Sequence, residues 1–267
     1  MSWLPRRIFC CPAPPESRHV PPPHLSLGKL VTFVAAGLLL AGCTQQAPHP
    51  AASPTVIAAP TRSASPTPAA PAPVGFAAAA TGPKVAVYNQ PAGTVTEKLD
   101  NPIPSGAPLT FLVSSRQDGW VQVQLAQRPN GSTGWVKADD VTLQSLSYSL
   151  RVSTETNTMT LSLNGTVIET FPVATGTGGT PTPHGSFYLT ELLAPRNAGY
   201  GPYAFGVSAF STVLNTFGGG PGQVGLHGTD DAASIGTAAS HGCIRMRNTD
   251  ITTLAQLLPL GTPITVA

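Results

Sequence analysis

Ser240-His241-Gly242-Cys243-Ile244-Arg245, preceded by His227-Gly228-Thr229, is the stretch on which the reading of this chain turns. It places one thiol in a glycine-flanked turn, with one imidazole two positions away and another sixteen positions upstream. That is an inventory for nucleophilic acyl transfer. A thiol attacks as its thiolate, and a free cysteine has a pKa of about 8.5, so a proton acceptor is needed near neutrality. An imidazole can take that proton, and backbone N–H groups beside a glycine can hold the oxyanion that follows.

Cysteine usage narrows the reading. The chain has four cysteines: Cys10, Cys11, Cys43 and Cys243. The first two fall in an N-terminal region that is expected to be removed on export. Leu30 to Leu40 is a short apolar run, preceded by Lys29 and followed by Ala41-Gly42-Cys43. A basic flank, a short apolar core and small residues make a secretory signal. Leu40-Ala41-Gly42-Cys43 resembles a bacterial lipobox, which implies cleavage before Cys43 and acylation of its thiol. Cys243 is then the one free thiol of the mature protein. Exported domains commonly use cysteine in pairs, so an unpaired one is either reactive or a small buried hydrophobe.

Composition excludes other classes. Charged residues make up 10% of the chain and the net charge is +2, with no basic cluster, so no nucleic-acid partner is expected. No carboxylate or cysteine stands at a recognised metal spacing near His184, His227 and His241, and neither metal nor cofactor is expected.

Working outward, four segments are expected. Residues 1–42 are the export signal region. Residues 43–82 are rich in Pro, Ala, Ser and Thr and cannot bury enough surface to fold, which predicts a lipid-anchored disordered tether. Extended at ~3.1 Å per residue, it would reach on the order of 100 Å. Residues 83–144 read as short strands, among them Val85-Ala86-Val87-Tyr88 and Gly119-Trp120-Val121-Gln122-Val123-Gln124-Leu125. Here Val121, Val123 and Leu125 alternate with Gln. Asn130-Gly131 marks a turn, and Trp120 and Trp135 are expected in the core rather than on a ligand. The spacing resembles a bacterial SH3-like domain, which implies either wall binding or a spacer.

Residues 145–267 form the last segment. Thr158 to Leu163, Asn164-Gly165 and Thr166 to Phe171 predict a hairpin. One short helix is predicted near the C-terminus, with Asn248 or Thr249 as its cap, Ile251, Leu254, Leu257 and Leu258 on one face, and Pro259 and Gly261 ending it. Thr262 to Val266 would close the sheet.

This segment resembles the YkuD-type L,D-transpeptidase catalytic domain. The carriers are Thr182-Pro183-His184-Gly185-Ser186-Phe187, Leu226-His227-Gly228-Thr229, Ile235-Gly236 and Ser240-His241-Gly242-Cys243-Ile244-Arg245-Met246, with Asn248 and Asp250 beyond. The resemblance implies a mostly β chain, an SH3-like small barrel followed by a β-sandwich with one short helix. It implies Cys243 as nucleophile, His227 as general base and acid, and the Gly228 carbonyl orienting the His227 ring. It also implies Gly242 and Cys243 N–H groups as the oxyanion hole. Ser240, His241 and Arg245 are candidate substrate contacts, with local bracing, packing and a structural ion pair as their respective alternatives. Asn248 braces the turn or caps the helix, and His184 is scaffold.

The implied reaction is two-step acyl transfer between peptidoglycan stem peptides. Cys243 attacks the carbonyl at the L-centre of a diamino acid, D-alanine leaves, and an amine of a second stem resolves the thioester. Carbapenems would acylate the same thiol. Alternatives are an L,D-carboxypeptidase that uses water, and a non-catalytic wall-binding lipoprotein. A Cys/His endopeptidase, in which Cys precedes His, does not fit the order found here. The expected form is a monomer at the outer face of the cytoplasmic membrane, held through Cys43.

Overall fold

The computed structural model describes residues 72–267. The export region, Cys43 and residues 43–71 of the expected tether lie outside the described residues.

The first layer is a seven-stranded antiparallel sheet. Its strands are β1 (Gly75–Ala80), β2 (Lys84–Tyr88), β3 (Val95–Asp100), β4 (Thr110–Gln117), β5 (Trp120–Gln124), β6 (Thr133–Lys137) and β7 (Val141–Leu146), in the order β3-β2-β6-β5-β4-β1-β7. Val85, Val87, Phe111, Val121, Val123 and Val136 fill its core.

Two expectations are corrected here. Residues 75–82 were expected to end the tether, yet β1 is a full strand inserted between β4 and β7. Its alanines are selected by space. Ala78 packs into the core of this sheet, while Ala77 joins Leu112, Leu146 and Tyr188 on the other face. A Cβ on Gly261 would sit 2.5 Å from the Ala77 Cβ, so a larger residue at 77 has nowhere to go. The second correction concerns Trp120 and Trp135, which are half-buried rather than core. Strand parity decides this: Val121, Val123 and Val136 point inward, so the tryptophans share the opposite face with Gln122 and Tyr88. Tyr88 and Trp120 meet edge to face, 4.9 Å between ring centroids.

The second layer has eight strands in the order β10-β9-β8-β17-β12-β13-β14-β16. They are β8 (Tyr148–Ser153), β9 (Thr158–Leu163), β10 (Thr166–Pro172), β12 (Gly185–Leu193), β13 (Ala204–Phe210), β14 (Gln223–His227), β16 (Ile244–Arg245) and β17 (Pro263–Val266). A parallel pair, β11 (Thr175–Gly176) and β15 (Ala238–Ser240), and one helix, α1 (Asn248–Leu257), complete it. The β9–β10 hairpin turns at Asn164 and Gly165, both at positive φ (50° and 80°), the backbone of a primed two-residue turn.

One core serves the whole layer. Leu150, Val152, Met159 and Leu161 of β8 and β9 meet Phe205, Val207, Leu226 and Ile244 of β13, β14 and β16, with Ile251 and Leu254 of α1. The helix is not capped as expected. Arg247 occupies the N-cap without a side-chain bond. The Asn248 Oδ1 instead accepts from Thr229 N–H at 2.9 Å, bracing the turn that follows β14.

The first layer rests on the outer face of the second. Tyr188 lies fully buried between them and donates its hydroxyl to the Gln124 carbonyl at 3.2 Å. Burial raises its pKa far above the usual phenol value, so it stays neutral. The turn between β5 and β6 reaches further. Arg128 donates to the carbonyls of Ser211, Leu214 and Pro221 at 3.0, 2.9 and 2.7 Å. Asn130 exchanges two hydrogen bonds with the Phe210 backbone. These contacts hold the 211–222 loop, which carries Phe217 to the site described next.

Candidate active site

Two adjacent strands place the reactive pair. β14 and β16 run parallel with Leu226 opposite Ile244 and His227 opposite Arg245. Leu226 and Ile244 point into the core, so His227 and the residues flanking Ile244 point to the outer face. Met246 N–H donates to the His227 carbonyl at 2.8 Å and extends the match.

Cys243 and His227 meet across Gly225. The Gly225 N–H points at Cys243 Sγ, 3.4 Å away. A Cβ on Gly225 would lie 3.8 Å from Sγ and 3.4 Å from His227 Cδ2. The ring edge that carries Cδ2 and Nε2 therefore faces the sulfur side. On the opposite edge, His227 Nδ1 lies 2.5 Å from the Gly228 carbonyl oxygen. A carbonyl only accepts, so Nδ1 carries the proton and the neutral ring has its lone pair on Nε2. Gly228 is glycine for a spatial reason: a Cβ there would run into Asn248 Oδ1 and Gly201.

Electrostatics keep both groups neutral at rest. Burial lowers the His227 pKa to about 4, with Arg245 pushing the same way, while the bond to Gly228 acts against them. Burial pushes the Cys243 thiol up, and the Gly225 N–H and the Arg245 charge hold it back. Burial thus favours a thiol and a neutral imidazole over a thiolate–imidazolium pair. Such a pair can pass a proton from sulfur to nitrogen when an electrophile arrives.

The turn itself is braced by Ser240, which is 1% exposed. Its hydroxyl accepts from Gly242 N–H at 3.1 Å and donates to the Cys243 carbonyl at 2.5 Å. Two expectations change as a result. Ser240 makes the local bracing bonds that were the alternative to a substrate contact. The Gly242 N–H is already engaged, so it is not the free oxyanion donor expected of it. The glycine is required all the same, because its φ of 115° is a conformation that side chains rarely adopt.

Cys243, His227, His241, Arg245, Gly199, Tyr200 and Phe217 line one cavity of about 190 Å³. His241 is exposed and stacks on Phe217, 5.2 Å between centroids and 27° between planes. Tyr200 leans on the His227 ring at 4.7 Å. Arg245 lies 3.9 Å from Asp231, and its Nε is buried without a hydrogen-bond partner among the described residues. His184 is elsewhere, sharing a 2.8 Å hydrogen bond with Thr154 Oγ1. Gly225, Tyr200 and Phe217 were not expected at the site. Gly225 has a signal in the alternation Gln223, Gly225, His227 along one strand face; the two aromatics sit in irregular loops with none.

Residues 147–266 match the family model of the YkuD L,D-transpeptidase catalytic domain. The YkuD protein of Bacillus subtilis (strain 168) is 43% identical over 119 residues, 45% of this chain and 65% of its own length. The YqjB protein of the same organism is 30% identical over 128 residues, 43% of this chain and 68% of its own. The chain belongs to the YkuD L,D-transpeptidase family. Its match spans 65% of the first of these relatives. Among solved structures, an L,D-transpeptidase from Mycobacterium smegmatis is 18% identical with a TM-score of 0.39, covering 58% of this chain and 80% of that one. Within the family domain, His227, Gly228, Ser240, Gly242 and Cys243 all fall in the matched segment.

The buried imidazole sets a pH dependence of stability. In the unfolded chain His227 binds a proton near pH 6.5; in the fold it does so only near 4. Its contribution is therefore complete above 6.5 and is lost as pH falls towards 4. The loss amounts to about 3 kcal/mol at 1.36 kcal/mol per pKa unit. Urea unfolding of the wild type and of His227→Gln between pH 7 and 4 checks this. The variant should show the shallower decline, and parallel curves would contradict the assignment.

Proposed function

We propose that the protein is a peptidoglycan L,D-transpeptidase acting through a thioester on Cys243. The observation that supports this most is the triad-like line from Cys243 Sγ past Gly225 to the His227 ring and on to the Gly228 carbonyl. A neutral carbonyl stabilises an imidazolium less than a carboxylate would. A thiol tolerates this because its anion forms more readily than an alkoxide.

In the proposed reaction the Cys243 proton passes to His227 Nε2 as the sulfur bonds to the donor carbonyl carbon. The oxyanion is received by the Cys243 N–H, since the Gly242 N–H is engaged by Ser240. The carbon–nitrogen bond then breaks, the departing D-alanine amine takes the proton from Nε2, and a thioester remains. An acceptor amine attacks that carbon and gives its proton to Nε2, and the sulfur leaves and is reprotonated. Arg245 lines the cavity beside Cys243, 3.9 Å from Asp231, and its charge would favour a substrate carboxylate there. Water in place of the amine would make the protein an L,D-carboxypeptidase.

The remaining proposals rest on sequence. Cys43, in Leu40-Ala41-Gly42-Cys43, anchors the protein by lipid to the outer face of the cytoplasmic membrane. Residues 83–144 act as an SH3-like spacer or wall-binding module.

Three variants test the chemistry. Cys243→Ala should lose all acylation by a carbapenem and all D-alanine release from a tetrapeptide stem while keeping its fold. His227→Ala should slow acylation by roughly 10²–10⁴-fold, the range of a general acid–base group. His241→Ala should lose less. Greater damage in His241→Ala, or turnover by a folded Cys243→Ala protein, would overturn the roles. For the anchor, radiolabelled fatty acid should label the wild type and not Cys43→Ala; an unlabelled wild type would refute lipidation.

A further inference from the structure

The outer face of the second layer carries a second, unassigned feature on the same row as the nucleophile. Strand register places Glu191 of β12 opposite Gly206 of β13, and Gly206 opposite Gly225 of β14. Gly225 in turn adjoins Cys243 through its N–H. The row from Cys243 to Glu191 is thus floored by two glycines, with side chains reaching over it from its two ends.

A β-bulge aims the far end of the row. The register slips between Leu189 and Glu191, which leaves Thr190 as the extra residue. Both side chains consequently turn over Gly206. A Cβ there would lie 2.6 Å from Thr190 Oγ1 and 2.7 Å from Glu191 Oε1. Gln223 holds the threonine from the side, donating to Thr190 Oγ1 at 3.2 Å and to the Val207 carbonyl at 3.1 Å. The Glu191 carboxylate makes no hydrogen bond or ion pair among the described residues.

Glu191, Thr190 and Gln223 open onto a cavity of about 630 Å³ whose other wall is built by the first layer, including Lys98, Pro102, Ile103 and Gln127. Lys98 shares this cavity without pairing to Glu191. Cys243 lines the neighbouring cavity rather than this one, and the glycine row joins the two. An unpaired carboxylate at the far end of that row fits a cation on the molecule that the thiol attacks.

Distance selects the cation. Glu191 Oε1 lies 2.7 Å from the Cβ position of Gly206 and Cys243 Sγ 3.8 Å from that of Gly225. Those two opposed positions are roughly 5 Å apart, so oxygen and sulfur are separated by about 10 Å along the row. In a diamino acid of the lysine type, six bonds separate the backbone carbonyl carbon from the side-chain nitrogen, roughly 7 Å when extended. A carbon–sulfur bond at one end and a charge-assisted hydrogen bond of about 2.8 Å at the other complete the span.

We propose that Glu191 binds the side-chain ammonium of the donor's diamino acid and so selects donors in which that amine is free. The proposal rests on the transpeptidase reading for the identity of the substrate. It gives the first layer a part in the reaction, since its residues form the wall that confines the side chain.

Two measurements test it. The first needs no turnover: calorimetric titration of full-length Cys243→Ala protein with a tetrapeptide ending in L-lysyl-D-alanine, and with its Nε-acetyl derivative. Acetylation and a further Glu191→Gln substitution should each weaken binding on the order of tenfold, and together no more than either alone. Equal affinities throughout, or independent losses that multiply, would overturn the proposal. The second measurement uses active protein, an N-terminally acetylated stem as donor and hydroxylamine in large excess, so that hydroxylamine outcompetes the stem's own side-chain amine for the thioester. D-alanine release should show the same pattern in KM. If Glu191→Gln slowed stem-to-stem cross-linking alone, the ammonium would belong to the acceptor and the donor assignment would fall. If the active protein released no D-alanine at all, the transpeptidase reading would fail, while the titration would still decide whether Glu191 binds an ammonium.

Discussion

The parallel register of β14 against β16 is the constraint on which the site depends. Leu226 and Ile244 sit opposite each other with no exposed surface, and their burial fixes the phase of both strands. Side chains alternate with a period of two, so a slip of one residue would turn His227 into the core and the paired apolar residues outward. The candidate site is phased by that pairing: His227 stands beside Arg245 and Gly225 beside Cys243. Ser240 adds a local lock by closing the turn between β15 and β16 on itself.

Burial then bears on the chemistry open to the pair. Both ionised forms are penalised by the same surroundings, so the imidazole stays a base and the thiol stays a thiol. A preformed ion pair would be reactive towards any electrophile. A neutral pair needs a carbonyl placed where the proton transfer and the attack proceed together. The Gly228 carbonyl keeps Nε2 unprotonated, and Tyr200 limits how the ring tilts. The 211–222 loop, held by Arg128 from the first layer, supplies Phe217 as a wall. The two layers are thereby joined at the site as well as through Tyr188.

Much of this was legible in the residues, and the failures have physical causes. The Asn164-Gly165 hairpin and the helix ending at Leu257 follow from turn chemistry and apolar spacing. The β1 strand was hidden because Phe76-Ala77-Ala78-Ala79-Ala80 continues the composition of an unfolded tether; only the pressure of Leu112, Leu146 and Gly261 makes small residues an asset there. Trp120 was misplaced although its own strand held the answer, since the valines fix the inward phase. Cys243, His227 and Gly228 could be singled out as candidates because they share short motifs, and the fold brings them together. The engagement of Gly242 N–H by Ser240 could not, because it depends on a turn geometry that no spacing encodes. Glu191 was invisible for a different reason: it reaches the row through a bulge and two intervening strands.

The central claim is that Cys243 carries the acyl group of a stem peptide. Intact-protein mass spectrometry after incubation with a tetrapeptide stem, followed by peptide mapping, measures it directly. The account predicts a covalent increment equal to the stem without its terminal D-alanine, located on Cys243 and discharged by hydroxylamine. A stem adduct on another residue, or release of D-alanine with no dependence on Cys243, would contradict it.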